Sequence, residues 1–334
     1  MYIATMDTKQ KKTRGTRSAY KSKSAVTKFK KQTRGATRVA TRGGTPSSRA
    51  TTVKKTASKK TTPASKKPIP AAYKEEAISW TLHSLKIILG DESIRRYILL
   101  KYLPNLDNSS KACLRTFDAF VPSGKTRQDK AREIQTYCQA MLKKKGIVVF
   151  TATNIQMDEN DNETHFQSYI VDNTKRKLIA IDPAYDIAKE NHAGIYMSEV
   201  TDEVIAPFFR HNHYDVQFIE LTHPAQIHDR DVFCQSWSLF ILLEKLKNDE
   251  YKTDITFVIP ETQLDKYQML LGFYQRLFRD IPELGDNLRA EYKGEVSDTL
   301  GAYTSNKDAA LTNTLLTYDP VQVLTTMTAE DLLG

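Results

Sequence analysis

The sequence predicts an α+β fold in which a small mixed β-sheet is flanked by helices and a central buried helix begins at Cys234. Residues 165–171 and 178–182 alternate in polarity and predict two strands joined by a turn. The apolar run after Cys234 predicts a helix that is buried on most sides. Apolar residues at helical spacing over 262–278 predict an amphipathic helix.

The remaining elements follow in a mixed order that fits this class. Helices are predicted at 74–89, 93–102, 127–145, 232–248 and 262–278, and strands at 146–157, 165–171, 178–182, 214–221 and 255–259. We therefore expect a disordered basic tail at 1–72, a helical N-terminal part at 73–145 and a core at 146–295. Residues 296–334 are rich in Thr and weakly patterned, so they are expected to form a mobile C-terminal tail.

Two polar residues stand at the ends of the predicted hairpin. His165 opens the first strand and Asp182 closes the second. Centring the turn on Asn173 and Thr174, with Asn173 suited to positive φ, sets His165 directly opposite Asp182 on one face. The pattern therefore predicts a carboxylate beside an imidazole.

Cys234 follows Asp229 and Asp231, either of which can cap a helix that begins near residue 232. A helix N-terminus and a neighbouring imidazolium both favour the thiolate form of a cysteine. Thiolate, imidazole and carboxylate are the groups required for nucleophilic attack on an acyl carbon. Cys138, on the apolar side of its predicted helix, is expected to serve packing.

The order His165, Asp182, Cys234 resembles that of the adenain and Ulp/SENP superfamily of cysteine proteases, and within it the core-protein maturation proteases of large cytoplasmic DNA viruses. The resemblance spans about residues 146–275. It implies a catalytic triad of these three residues. It also implies that Gln226 donates to the oxyanion, with Gln235 as the alternative.

Three positions depart from the family pattern. Phe166 replaces the usual Trp after the His, Gln235 replaces the Gly that often follows the Cys, and Gln226 lies eight positions before Cys234, farther than usual. The last two bear on the oxyanion hole more than on the nucleophile.

The resemblance implies a viral cysteine endopeptidase that processes structural or core polyproteins, typically after Gly-Gly. Two alternatives stay open: a SUMO- or ubiquitin-like protein deconjugase with the same site, and a DNA-packaging protein with an inactive protease domain. The expected locations are the virion interior and the host cytoplasm, with the nucleus also possible. No metal or cofactor is expected, because the histidines near residues 211–228 lack tight ligand spacing.

The charge is divided unevenly along the chain. Residues 1–70 contain 20 Lys and Arg but one acidic residue, whereas the rest carries 29 basic and 39 acidic residues. Such a segment predicts binding to DNA through counterion release, with a nuclear import signal or a solvated extension as the alternatives. No apolar run is long enough to span a membrane. The candidate DNA contacts are Lys11, Lys12, Arg14, Arg17, Lys28, Lys30, Lys31, Arg34, Lys54, Lys55, Lys59 and Lys60.

Overall fold

A mixed sheet with helices on both faces forms the centre of the protein, and the predicted α+β class is confirmed. The computed structural model describes residues 73–103, 115–118, 124–153, 165–184, 200–225, 233–300 and 306–332. The predicted basic tail at 1–72, with all its candidate DNA contacts, lies outside these residues.

Helices and strands alternate irregularly along the described chain. The helices are α1 (Lys74–Gly90), α2 (Glu92–Tyr102), α3 (Arg127–Leu142), α4 (Ala206–His211, preceded by a π-helical turn at Val200–Ile205), α5 (Cys234–Lys247), α6 (Gln263–Asp280), α7 (Glu283–Leu300), α8 (Asn306–Leu315) and α9 (Pro320–Thr326). The strands are β1 (Arg115–Asp118), β2 (Ile147–Thr153), β3 (Phe166–Asp172), β4 (Lys177–Ile181), β5 (Asp215–Phe218), β6 (Glu220–Leu221) and β7 (Thr256–Phe257).

Short polar side chains fix where several helices begin. Asp91 accepts hydrogen bonds from the first turn of α2, Thr262 from that of α6 and Asp319 from that of α9. Thr126 and Asp129 form a reciprocal capping box at the start of α3. Each cap satisfies backbone N–H groups that have no partner within the helix, and so sets its first residue.

Five strands form the main sheet in the order β1-β2-β3-β4-β5. The central strands β2, β3 and β4 are antiparallel, whereas the edge strands β1 and β5 run parallel to their neighbours. Strands β6 and β7 form a separate parallel pair. The sequence did not predict β1, which lies in the segment expected to be helical and gains its order by pairing with β2.

The hairpin register differs from the prediction by two residues. Asp172 pairs with Lys177, so the turn comprises residues 173–176. The Asp172 carboxylate holds this turn by accepting the backbone N–H groups of Thr174 and Lys175, both at 3.0 Å. Arg176, and not Asn173, has positive φ. Because side chains alternate with a period of two, this shift leaves His165 and Asp182 on the predicted face.

The two faces of the sheet pack against different cores. On one face, Ile170 and Ile179 join the apolar side chains of α1, α2, α5, α6 and α7. On the other face, Tyr169 and Leu178 meet α3 and the π-helical turn. All seven residues of β3 are buried, since the strand is covered on both sides. Helix α5 is buried around most of its circumference, as its apolar sequence predicted.

The C-terminal segment is not the mobile tail that its composition indicated. Helix α7 extends to residue 300, and α8 and α9 follow it. Leu315, Val323, Leu324 and Met327 belong to the same apolar cluster as α5. The apolar residues of this segment follow no clear helical or strand period, but the fold uses several of them as core contacts.

None of the helices in the described ranges is long and apolar enough to cross a membrane.

If α9 is part of the core, Leu324→Ala should lower the free energy of unfolding by about 2–5 kcal/mol, because it removes a fully buried side chain and leaves a cavity. Urea denaturation followed by circular dichroism measures this change. Thr325→Ala is the matched control, since the neighbouring Thr325 is exposed. Equal, small effects of both substitutions would show that α9 contributes little to the fold.

Candidate active site

His165 and Asp182 meet at one end of the β3–β4 pair. His165 directly precedes β3 and Asp182 directly follows β4. The observed register, continued by one residue, sets Asp182 opposite Gln167, so His165 is its diagonal neighbour on the same face. His165 Nε2 lies 2.8 Å from Asp182 Oδ1, and both side chains are buried. The carboxylate–imidazole pair predicted from the hairpin is therefore present, although by a different register.

Asp182 is held by three donors. Besides His165, the backbone N–H of Ala184 donates to Asp182 Oδ1 at 2.9 Å, and the Gln167 amide donates to Oδ2. These bonds satisfy a buried carboxylate and fix its orientation. The imidazole is thereby held in one position as well.

Gln167 was missed by sequence reasoning. Its Oε1 accepts hydrogen bonds from Tyr169 OH at 2.7 Å and from Thr201 Oγ1 at 2.6 Å, which fixes the amide with its NH₂ group toward Asp182. Because side chains on a strand alternate with a period of two, Gln167 lies on the same face as His165. This position is the sequence feature that could have identified it as a site residue. Thr201 lies in the π-helical turn and gave no signal.

Cys234 is the first residue of α5 and is buried. Ser238, one turn later, donates to the backbone carbonyl of Phe166 at 2.8 Å and so ties the helix to the start of β3. His165, the residue before Phe166, interacts with Cys234, and this interaction helps to raise the pKa of the imidazole. The structure thus brings together the three residues that the sequence selected.

The environment of His165 favours its protonated form. Burial lowers the pKa of His165, but the charge and hydrogen bond of Asp182 and the interactions with Cys234 outweigh this effect and raise it to about 10. Nε2 is engaged with Asp182, so Nδ1 is the ring nitrogen suited to exchange a proton with the thiol. The arrangement can hold a thiolate beside an imidazolium.

The two residues predicted for the oxyanion hole fare differently. Gln226 lies outside the described residues. The amide oxygen of Gln235 lies 3.4 Å from Cys234 Sγ, and its nitrogen donates to the carbonyl of Lys86, also at 3.4 Å. Gln235 therefore lies next to the thiol, but its amide nitrogen already donates one hydrogen bond to Lys86. Its role as a hydrogen-bond donor to the oxyanion stays a prediction.

Cys138 has the opposite environment to that of a reactive thiol. It is fully buried in the α3 core, and burial raises its pKa to about 12. Such a thiol is inert near neutral pH. Cys113 lies outside the described residues. Within the described ranges, no group of three or more His, Cys, Asp or Glu side chains is arranged to hold a metal ion.

No protein-family model matches this chain, and no curated protein matches it either. Among solved structures, it is similar to ChlaDub1 from Chlamydia trachomatis, with 12% sequence identity and a TM-score of 0.31. The similarity covers 66% of this chain and 96% of that chain. A likeness of this size carries no argument about activity, so the function of the site has to be inferred from its own geometry.

Asp182→Asn should lower the pKa of His165 by about 1–3 pH units, because the substitution removes the opposite charge that favours the imidazolium. NMR of labelled His165, assigned by its loss in His165→Ala, measures this directly. Asp215→Asn is the control, because Asp215 is exposed and its substitution should leave the pKa of His165 unchanged.

The same substitution should change the pH dependence of stability. A raised folded pKa adds stability that is complete below the unfolded value of about 6.5 and is lost as pH rises through about 10. This loss should be smaller in Asp182→Asn. An unchanged His165 titration in that variant would contradict the pairing.

Proposed function

We propose that this protein is a cysteine endopeptidase in which Cys234 is the nucleophile, His165 the general acid and base, and Asp182 the residue that orients the imidazole. The observation that carries the proposal is the short His165 Nε2–Asp182 Oδ1 contact of 2.8 Å on a histidine that also interacts with Cys234. Nucleophile, base and orienting carboxylate are then connected in the order that acyl transfer requires.

The reaction follows from these positions. The Cys234 thiolate attacks the scissile carbonyl carbon, and the electron pair of the C=O π-bond moves to oxygen. When the tetrahedral intermediate collapses, the C–N bond breaks and His165 gives its proton to the leaving amine. Water, deprotonated by His165, then hydrolyses the thioester and restores the thiolate. The raised pKa of His165 keeps its proton available for the leaving amine at neutral pH.

The substrate class rests on the sequence resemblance alone. It favours viral structural or core polyproteins cut after small residues such as Gly-Gly. A narrow channel suits glycines because they lack Cβ and let the backbone approach the nucleophile closely. The deconjugase alternative needs the same chemistry at a Gly-Gly terminus, so the triad does not separate the two. The inactive-domain alternative differs from both, because it predicts no cleavage.

Cys234→Ala should abolish cleavage of Gly-Gly-containing peptides and leave the fold intact, since one sulfur atom is removed. His165→Ala should reduce turnover more than Asp182→Ala, because the imidazole transfers the proton whereas the carboxylate orients it. The measurement is peptide cleavage followed by chromatography, with iodoacetamide labelling in parallel. Cys138→Ala is the matched control and should retain activity.

Iodoacetamide should label Cys234 faster than Cys138 or Cys113 near pH 7. Equal labelling of the three, or unaltered cleavage by Cys234→Ala, would exclude this nucleophile. Assays of a polyprotein segment beside a ubiquitin-like conjugate separate the two active alternatives. Rapid labelling without cleavage of either substrate would point to a different acyl substrate.

We further propose that the basic tail binds DNA. Its support is the concentration of 20 Lys and Arg in residues 1–70 with one acidic residue. Cations at this density release counterions from a phosphate backbone on binding, without reading its sequence. The DNA would then hold the enzyme near assembling particles that contain its substrate.

Full-length protein should bind duplex DNA of any sequence with an affinity that falls steeply with salt, by about 0.9 in log–log slope for each phosphate contact. Deleting residues 1–70 should flatten this slope while peptide cleavage persists. Fluorescence anisotropy at several salt concentrations provides the measurement. A full-length protein that ignores DNA at low salt would refute this role.

A further inference from the structure

Arg95 on α2 is a charged side chain buried beside the site, with an exposure of 2%. Its Nη1 donates to the carbonyl of Gln235 at 3.1 Å and to that of Leu89 at 3.4 Å. Its Nη2 lies 3.5 Å from Ser168 Oγ on β3, and its guanidinium lies 5.4 Å from the ring centroid of Phe166. Among the described residues, its partners are oxygens of carbonyl and hydroxyl groups and a ring, and none is a carboxylate.

A buried cation of this kind is costly. Removing an ion from water is energetically unfavourable, and a nearby anion or a full set of hydrogen bonds must offset this penalty. Carbonyl and hydroxyl dipoles satisfy some of the donors of Arg95, but they supply no net negative charge. An apolar side chain of similar volume would be easier to bury here. The position therefore favours a role that needs the charge.

The Cys234 thiolate is the anion that the charge of Arg95 can stabilise. Gln235, whose carbonyl Arg95 binds, is the next residue in the chain. Burial lowers the pKa of Arg95, and the electrostatic interaction with Cys234 offsets part of this decrease, so that the net pKa is about 10. Arg95 therefore stays charged near neutral pH, when the thiolate has to be present for attack.

The hydrogen bonds of Arg95 also have a geometric effect. Through Gln235 the guanidinium holds the first turn of α5, and through Ser168 it holds β3, which begins directly after His165. Arginine can do both at once because its donors form a planar fork. The same side chain thus acts on the charge of the thiol and on its distance from the imidazole.

Other titratable groups surround the start of α5. Those on the elements packed against it are Lys86 on α1, His165 and Asp182 at the strand ends, and Lys266 and Tyr267 on α6. The charges of Arg95 and His165 both interact with Cys234. His165 gives up its proton during the reaction, whereas an arginine does not, so Arg95 is the permanent cation of the pair.

We infer that Arg95 is a positioning residue that holds Cys234 in its thiolate form as a fixed buried cation and keeps the first turn of α5 against β3. The inference rests on the proposed nucleophilic role of Cys234. It assigns to α2, which carries none of the three proposed catalytic residues, a direct part in activating the thiol.

The test is the pH dependence of iodoacetamide labelling at Cys234, followed by mass spectrometry. In Arg95→Met the midpoint should move upward by about one pH unit, which corresponds to about tenfold slower labelling at pH values below the midpoint. Arg95→Lys should keep the midpoint near that of the wild type, because it retains the positive charge. It should lower the rate of peptide cleavage, because a lysine lacks the planar fork of donors that holds α5 against β3.

Lys245→Met is the matched control. Lys245 is another buried cation on α5, and it binds the backbone carbonyls of Asp254 and Thr256. Its replacement should lower the free energy of unfolding without moving the labelling midpoint. Urea denaturation of each variant establishes that it is folded at the assay temperature.

An Arg95→Met protein that folds and keeps the wild-type midpoint would overturn the inference, as would an equal shift in Lys245→Met. If Arg95→Met does not fold, Arg95→Lys decides, and a shift of a whole pH unit in that variant overturns the inference. Failure of the proposed function is distinguishable, because wild-type Cys234 would then label no faster than Cys138, whatever residue occupies position 95.

Discussion

The antiparallel pairing of β3 with β4 is the constraint on which the site depends. It sets Asp182 across from Gln167 and diagonal to His165, and it buries all three at one end of the sheet. A slip of one residue would turn Asp182 to the opposite face, toward the apolar cluster that contains α5. Ser238 then docks α5 against the start of β3, next to His165.

Much of the fold and of the site follows from local patterns. The alternation of polar and apolar residues predicted β3 and β4, and an uninterrupted apolar run predicted α5. The order of His165, Asp182 and Cys234 selected three residues that lie close together in the fold. The register was wrong by two because the turn was placed one residue too early. Asn173 looked suited to the left-handed position, but its amide donates to the carbonyls of Met141 and Lys144 instead.

What the sequence did not predict depends on contacts between distant segments. Strand β1 is short and gains order by pairing with β2, and the helices after residue 300 contribute isolated apolar side chains to a core built elsewhere. Gln167 and Arg95 are common residue types without a motif. Both side chains are buried in the folded protein, and burial of a polar side chain is a property of the assembled fold.

The complete burial of β3 has a consequence for how the protein loses activity. Segments covered on both faces open to solvent only when the whole domain unfolds, whereas peripheral elements open more easily. His165 directly precedes this strand and Gln167 belongs to it. The groups around Asp182 are therefore attached to a strand whose amide hydrogens are expected to exchange slowly. Fraying at the chain ends would therefore leave the arrangement of the thiol and imidazole intact. The proposed catalytic arrangement would then persist until the sheet itself unfolded.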